Sequence, residues 1–179
     1  NSDQVIDTEN KKYIELKDEI NQIPFVFVKV PLYKGNGISR ISNMGGFYRN
    51  LFKVTSEYAK DHDKPDIILA SSVHPLTLVA GIKIAKKFGI KCICEVRDLW
   101  PESLIAFGKL KKQSLLAKSL YQCEKWIYKK ADALLFTMAG AVDYLKEQKW
   151  DVAQGGPINL EKVYHINNGI DLIVAREQR

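Results

Sequence analysis

The sequence predicts an α/β fold with a doubly wound, mostly parallel sheet. Short apolar runs of strand length carry this prediction, at residues 67–70, 90–96 and 133–137. Stretches with the apolar spacing of amphipathic helices lie between them. Strands that alternate with helices form βαβ units, and such units place their strands parallel in one sheet.

Composition fits a folded protein of one domain or slightly more. The 179 residues are 46% hydrophobic and 27% charged, which is enough apolar material for a core. The net charge of +6 comes from 27 basic and 21 acidic residues. No block rich in Lys and Arg alternates with aromatic residues, so we expect no nucleic-acid partner.

The lack of a recognisable targeting signal and the pattern of cysteines both favour a cytoplasmic location. The longest apolar run in the middle of the chain, 76–82, is too short to span a bilayer, and the amino end does not resemble a signal peptide. Of three cysteines, Cys92 and Cys94 alternate on a strand and face the same side, whereas Cys123 lies on a predicted helix. We interpret them as buried free thiols rather than metal ligands.

The elements follow in chain order. Residues 13–20 fit a helix and a strand equally well, while 25–30 are rich in β-formers and predict a strand that ends at Pro31. The run 67–70 predicts a strand buried on both faces. Helices are predicted at 47–60, 75–88, 101–107, 113–130 and 141–148, a surface loop at 151–157, and a last strand at 162–166. The apolar stripe of the helix at 113–130 is assigned to Leu115, Leu116, Leu120, Cys123, Trp126 and Ile127.

The stretch 95–103 is the strongest candidate for chemistry. An apolar strand stops abruptly at Arg97 and Asp98, and the chain restarts as a helix that opens with Pro101 and Glu102. This is typical of the carboxyl edge of a parallel sheet, where ligands bind in the crevice outside the strands. The alternative is a structural Arg-Asp pair followed by a capped helix.

A second strand-to-helix turn follows the strand at 67–70. It contains Ser71, Ser72 and His74 beside the amino end of a helix, where anions are favoured. His74 has the further property that imidazole holds or transfers a proton near neutral pH. Simple helix capping is the alternative for these residues.

A glycine-rich loop at 34–40 is a weaker candidate. Gly35 and Gly37 flank Asn36, and Arg40 follows, so backbone amides here would approach an anionic or sugar ligand closely. Two glycines around an asparagine also form an ordinary turn.

Several motifs together resemble one family. They are Lys-Pro-Asp-Ile-Ile at 64–68, Glu-Val-Arg-Asp-Leu-Trp-Pro-Glu-Ser at 95–103, Glu124 with Lys-Ala-Asp-Ala at 130–133, and Asn-Gly-Ile-Asp at 168–171. In this order they resemble the amino-terminal domain of glycosyltransferase family 4, which has the GT-B fold. The form of 97–102, with Gly-Asn-Gly-Ile-Ser-Arg at 35–40, is similar to bacterial capsule and O-antigen transferases of the fucosamine-transferase type.

The resemblance implies a Rossmann-like half of a GT-B fold that lacks its first strand. Residues 1–171 would form an incomplete acceptor domain and 172–179 the start of a linker. The family's second domain, which grips the nucleotide-sugar with a Glu-x7-Glu motif, would follow. We therefore expect the isolated chain to be inactive.

The implied reaction transfers a sugar with retention, needs no metal and no cofactor, and uses a nucleotide-sugar as co-substrate and a saccharide or polyprenyl-linked acceptor. By this resemblance Arg97 orients the loop or neutralises phosphate, Asp98 bonds a sugar hydroxyl or balances developing positive charge, and His74 bonds acceptor or sugar hydroxyls. The predicted substrate-binding residues are Gly35, Asn36, Gly37, Arg40, Ser71, Ser72, Glu102, Asn168, Gly169 and Asp171. For the last three, a plain exit turn is the alternative.

Two further hypotheses remain open. The segment 107–118 mixes apolar and basic residues and is suited to an anionic membrane surface, although a solvated basic face over an ordinary core stripe explains it too. A stand-alone Rossmann-like binding module is the rival function, against which no G-x-G-x-x-G follows the first strand and no P-loop occurs.

Overall fold

A computed structural model describes residues 11–35, 37–72 and 74–169. The chain divides into two compact units, Asn1–Pro65 and Asp66–Arg179. The predicted domain boundary at residue 171 lies outside the described residues.

The first unit is a β-hairpin with one long helix. Strand β1, Tyr13–Lys17, pairs antiparallel with β2, Pro24–Val28, and helix α1 spans Ile38–Asp61. Residues 13–20, for which the sequence left helix and strand as alternatives, therefore form a strand followed by a turn. Asp18 stabilises that turn, because its carboxylate accepts a hydrogen bond of 2.6 Å from the Asn21 amide.

Helix α1 begins well before the predicted start at residue 47, so the predicted loop at 34–40 overlaps its first turn. Gly45 and Gly46 argue against a helix in the sequence, since glycine is a poor helix former. The fold explains Gly46: a Cβ there would lie 2.6 Å from Cδ of Pro31. Close approach of the preceding loop therefore requires a glycine inside this helix.

The second unit contains the predicted parallel sheet. Its four strands are β3 (Ile67–Ser71), β4 (Lys91–Val96), β5 (Ala133–Phe136) and β6 (Val163–His165), hydrogen-bonded in that order and all parallel. The helices are α2 (Pro75–Phe88), α3 (Trp100–Ala106), α4 (Leu115–Lys130) and α5 (Ala141–Glu147). Short 3₁₀ helices span Val152–Gln154 and Leu160–Lys162. The predicted α/β, Rossmann-like fold class is confirmed.

The core of this unit lies on one face of the sheet. Ala70, Cys94, Val96, Leu134 and Phe136 share that face, and all are buried. Because the strands follow one another in chain order, right-handed crossovers place the connecting helices on the same side. Helix α2 accordingly packs against β3, β4 and α4. Cys92 and Cys94 both face this core, as predicted, and their Sγ atoms lie 4.0 Å apart.

Burial of β3 on both faces was a wrong prediction. Ile67 and Leu69 point away from the helices and are 48% and 60% exposed. A continuous apolar run predicts burial only if both faces of the sheet are covered. Here helices α2 and α4 cover the face that carries Ala70.

The predicted stripe of α4 is also corrected. Leu115 and Leu116 are 81% and 61% exposed, whereas the buried residues of this helix are Ala117, Glu124, Ile127 and Tyr128. Ile127 is buried as predicted, and Leu120, Cys123 and Trp126 are half-buried. The prediction was therefore wrong at Leu115 and Leu116, and it missed the buried Glu124. The segment 151–157 is not wholly a surface loop either: Asp151 is 2% exposed and forms a β-bridge with Ile158.

Candidate functional site at the carboxyl edge of the sheet

The turns after β3 and β4 leave the sheet side by side. Ser71 is in register with Glu95, and the Ser72 amide donates to the Glu95 carbonyl at 3.0 Å. The residue after β4 adds a second bond between the turns, because the Arg97 amide donates to Oγ of Ser72 at 2.9 Å. The two turns predicted from sequence are therefore hydrogen-bonded to each other at one edge of the sheet.

A small cavity opens at this edge. Its polar lining consists of Ser72, Asp98 and Glu124, and Trp100 and Pro101 contribute apolar walls. The volume is about 20 Å³, which is room for roughly one water molecule. In this form the cavity is too small for a sugar ring, so it can provide polar groups at the edge of a larger cleft but not enclose a substrate.

Glu124 is the functional candidate that sequence reasoning missed as a site residue. Its carboxylate accepts hydrogen bonds from the hydroxyls of Tyr128 at 2.7 Å and Tyr144 at 2.6 Å. Burial raises the pKa of Glu124 to about 7, because desolvation outweighs these two bonds, which favour the charged form. The available signal was an acidic residue within the apolar pattern of α4.

The two residues predicted at the end of β4 are accessible. Arg97 and Asp98 are both exposed, and Asp98 lines the cavity. Their backbone leaves the sheet directly after Val96, which is buried in the core. An exposed acidic residue, Asp98, and a buried one, Glu124, thus line the same cavity.

His74 occupies the same edge but is largely enclosed. It is the N-cap residue of α2 and is 8% exposed, and its Nδ1 lies 3.5 Å from Oγ1 of Thr77. Pro75 follows in the first helical turn, as predicted. The catalytic role of His74 stays a prediction, and it requires that a substrate reach this nearly buried ring.

Ser71 and Glu102 are already engaged. The Ser71 hydroxyl donates a short hydrogen bond to the Glu95 carboxylate. Glu102 accepts a hydrogen bond from the Tyr121 hydroxyl and lies 3.9 Å from Nζ of Lys112. A substrate hydroxyl would have to share or displace these partners.

Of the other predicted binding residues, Asn168 and Gly169 do not line the cavity. Asn168 and Gly169 are exposed beyond β6, with β5 between them and β4. Gly35, Gly37 and Arg40 belong to the first unit. There Gly35 has a positive φ of 67°, and the Arg40 amide donates to the Gly37 carbonyl at 3.0 Å. Asn36 and Asp171 lie outside the described residues.

One residue of the sequence motifs has a clear structural role. Asp132 joins the end of α4 to β4: its Oδ2 accepts the Cys92 amide at 2.9 Å and its Oδ1 pairs with Lys91 at 2.9 Å. The Asp132 amide returns a bond to the Cys92 carbonyl at 3.0 Å. These bonds fix the register in which β5 joins the sheet.

In the described part of the chain, no cluster of three or more His, Cys, Asp and Glu side chains has the arrangement of a metal site. No helix described there combines the length and the apolar character that a membrane span requires.

Comparison with known proteins gives the family. A family model described as a glycosyl transferase 4-like domain matches residues 15–154. The chain belongs to this family. The match includes most of the first unit and the second unit as far as residue 154, and so it includes Ser72, Asp98 and Glu124.

Solved structures include a more distant resemblance. UGT89C1 from Arabidopsis thaliana, crystallised with UDP, is similar over 75% of this chain at 13% identity, with a TM-score of 0.48. The chain spans about a third of that protein, 32% of its length. No curated protein sequence matches the chain at a significant level.

Proposed function

We propose that this glycosyl transferase 4-like domain supplies acceptor-binding and cleft residues for transfer of a sugar from a nucleotide-sugar. The observation that carries the proposal is that exposed Asp98 lines one cavity with Ser72 and the buried Glu124, at the carboxyl edge of a parallel sheet. Ligands of open α/β sheets bind outside this edge. Family membership gives the reaction class, and Asp98 gives it a candidate residue.

The transfer reaction requires a group that stabilises developing positive charge on the sugar. Sugar transfer passes through an oxocarbenium-like state, which a nearby carboxylate stabilises. Asp98 suits this role because it is exposed and lines the cavity. Arg97 has an exposed guanidinium, and its charge suits the phosphate of a departing nucleotide.

The finer proposal names the substrates. We infer a retaining hexosyltransferase that acts on a lipid-linked saccharide at the cytoplasmic side of a bacterial membrane, in the synthesis of a surface polysaccharide. Its support is the Arg-Asp-Leu-Trp-Pro-Glu motif at 97–102 together with the glycine-rich segment at 35–40. The donor would be held mainly by a second domain.

The test is the rate of transfer by the full-length protein. Asp98→Asn keeps the size of the side chain and removes its charge, so we expect turnover to fall by more than about tenfold. Asp66→Asn is the matched control, since Asp66 is exposed directly before β3, at the opposite edge of the sheet, and should leave turnover unchanged.

His74→Ala is measured in the same assay, with folding followed by circular dichroism. A similar loss of turnover in a folded variant would support a substrate contact at His74. Wild-type rates in both Asp98→Asn and His74→Ala would overturn these assignments. Binding of a nucleotide-sugar without any transfer would favour the binding module instead.

A further inference from the structure

The segment that links α3 to α4, together with the first turn of α4, forms an exposed apolar and basic surface. We call it the 107–118 surface. Its large apolar side chains are Phe107, Leu115 and Leu116, which are 78%, 81% and 61% exposed. Its basic side chains are Lys109, Lys111, Lys112 and Lys118, all of them exposed.

These apolar residues do not belong to the core. Ala117 is 0% exposed and Ile127 is 2% exposed, and with Glu124 and Tyr128 they form the buried stripe of α4. Leu115 and Leu116 lie in the first turn of that helix and outside the stripe. The explanation that they form an ordinary core stripe beneath a solvated basic face is therefore wrong.

Backbone hydrogen bonds hold the surface in shape. At the end of α3, the Gly108 amide donates to the Ile105 carbonyl and the Lys109 amide to the Leu104 carbonyl, both at 2.9 Å. Gly108 makes this turn possible with a positive φ of 67°. At the start of α4, Oγ of Ser114 accepts the Ala117 amide at 3.2 Å. The exposed side chains thus extend from an ordered turn that is capped on both sides.

The charge of the surface is one-sided. Between Ser103 and Cys123 the sequence contains four lysines and no acidic residue. Glu102 is an acidic neighbour of one of these lysines, with its Oε1 3.9 Å from Nζ of Lys112. A partner of this surface should therefore be anionic and should also accept three large apolar side chains.

We propose that the 107–118 surface docks on a lipid bilayer that contains anionic phospholipid. Phe107, Leu115 and Leu116 would enter the boundary between headgroups and acyl chains, while the lysines contact phosphates. Lysine suits this place because its long stem lies along apolar material with the ammonium in the headgroup layer. The proposal goes beyond sugar transfer and does not depend on it, since binding is measured without substrate.

The experiment is sedimentation of the full chain with sucrose-loaded vesicles of phosphatidylcholine, with and without phosphatidylglycerol. We expect binding to the anionic vesicles that weakens with added salt. Each lysine that lies near the membrane surface should contribute about fivefold to binding. The variant with all four lysines exchanged for glutamine should lose that factor for each of them. The triple variant F107S/L115S/L116S should reduce binding to anionic vesicles by at least about tenfold.

Matched controls separate this surface from general charge and apolar exposure. Lys64, Lys86, Lys130 and Lys146 are exposed elsewhere, and their exchange for glutamine changes the net charge equally. Val152 and Ile166 are 59% and 55% exposed, and V152S/I166S removes two exposed apolar side chains outside the 107–118 surface. Both control variants should bind like the wild type.

Three results would overturn the proposal: equal or negligible binding to both kinds of vesicle, binding unaffected by the surface variants, or equal losses in the controls. Circular dichroism and urea unfolding confirm that the triple variant is folded. If it is not, the single variant Leu115→Ser replaces it and should still weaken binding measurably, because Leu115 is 81% exposed.

Discussion

Tyr144 donates a hydrogen bond of 2.6 Å to Oε2 of Glu124, and this bond ties α5 to α4 beside the cavity. Tyr128 bonds the other oxygen of the same carboxylate at 2.7 Å. Both phenols favour the ionised glutamate, but burial and the nearby Glu102 disfavour it. Because burial is the larger effect, the pKa of Glu124 rises from its ordinary value of 4.5 to about 7.

This raised pKa gives the fold a pH dependence with a definite sign. Above pH 4.5 the unfolded chain loses the Glu124 proton, whereas the folded chain keeps it until about pH 7. The contribution of Glu124 to the free energy of unfolding should therefore be largest below pH 4.5 and should fall by about 3 kcal/mol between pH 4.5 and 7. Urea unfolding at a series of pH values measures the fall.

Glu124→Gln is the control for this prediction. The oxygen of the glutamine amide can accept from one of the two tyrosines while its NH2 donates to the hydroxyl oxygen of the other. The amide does not titrate, so the variant should lose most of the slope between pH 4.5 and 7. Groups whose pKa is lowered in the fold, such as Asp132 beside Lys91, act at lower pH and do not mask this window. Equal slopes in the two proteins would contradict the assignment.

Ser72 should support the turn that carries Asp98. It is 4% exposed, and its Oγ accepts the Arg97 amide at 2.9 Å. Ser72→Ala leaves that amide without its partner and should lower the free energy of unfolding by about 1–2 kcal/mol, measured with urea. Transfer activity should fall as well, because the turn loses a constraint.

The exposed Ser119 gives the comparison for Ser72. Its hydroxyl donates to the Leu115 carbonyl within the same helix, so Ser119→Ala should change stability by less than about 0.5 kcal/mol. If the Ser72 and Ser119 variants were equally stable, the bond between the two turns would contribute nothing.

Two glycines inside helices should respond oppositely to alanine. A Cβ at Gly81 of α2 would lie 2.5 Å from Cβ of Ala70 on β3, so Gly81→Ala must push the helix from the sheet. We expect a loss of about 1–3 kcal/mol. Gly45 of α1 has open space around it, and Gly45→Ala should stabilise by up to about 1 kcal/mol. Thermal unfolding of both variants measures the difference, and a stabilised Gly81→Ala would disprove the close contact.

Much of the second unit could be predicted because its signals are local. Pro75 opens α2, and Gly89 closes it with a positive φ of 64°, so the bounds of this helix were correct. The strand before Arg97 and the turn after it were also predictable, because the apolar run and the charged residues are contiguous in the sequence. The adjacency of the Ser72 and Asp98 turns followed from parallel topology alone.

In the second unit the sequence by itself determined the order of elements, their type and the edge at which polar residues gather. Only the tertiary structure decided that Ile67 and Leu69 face away from the helices, that Gly46 lies against Pro31, and that Glu124 is buried between two tyrosines. The physical reason is that periodicity shows which residues share a face, whereas burial and pKa depend on what distant segments place against that face.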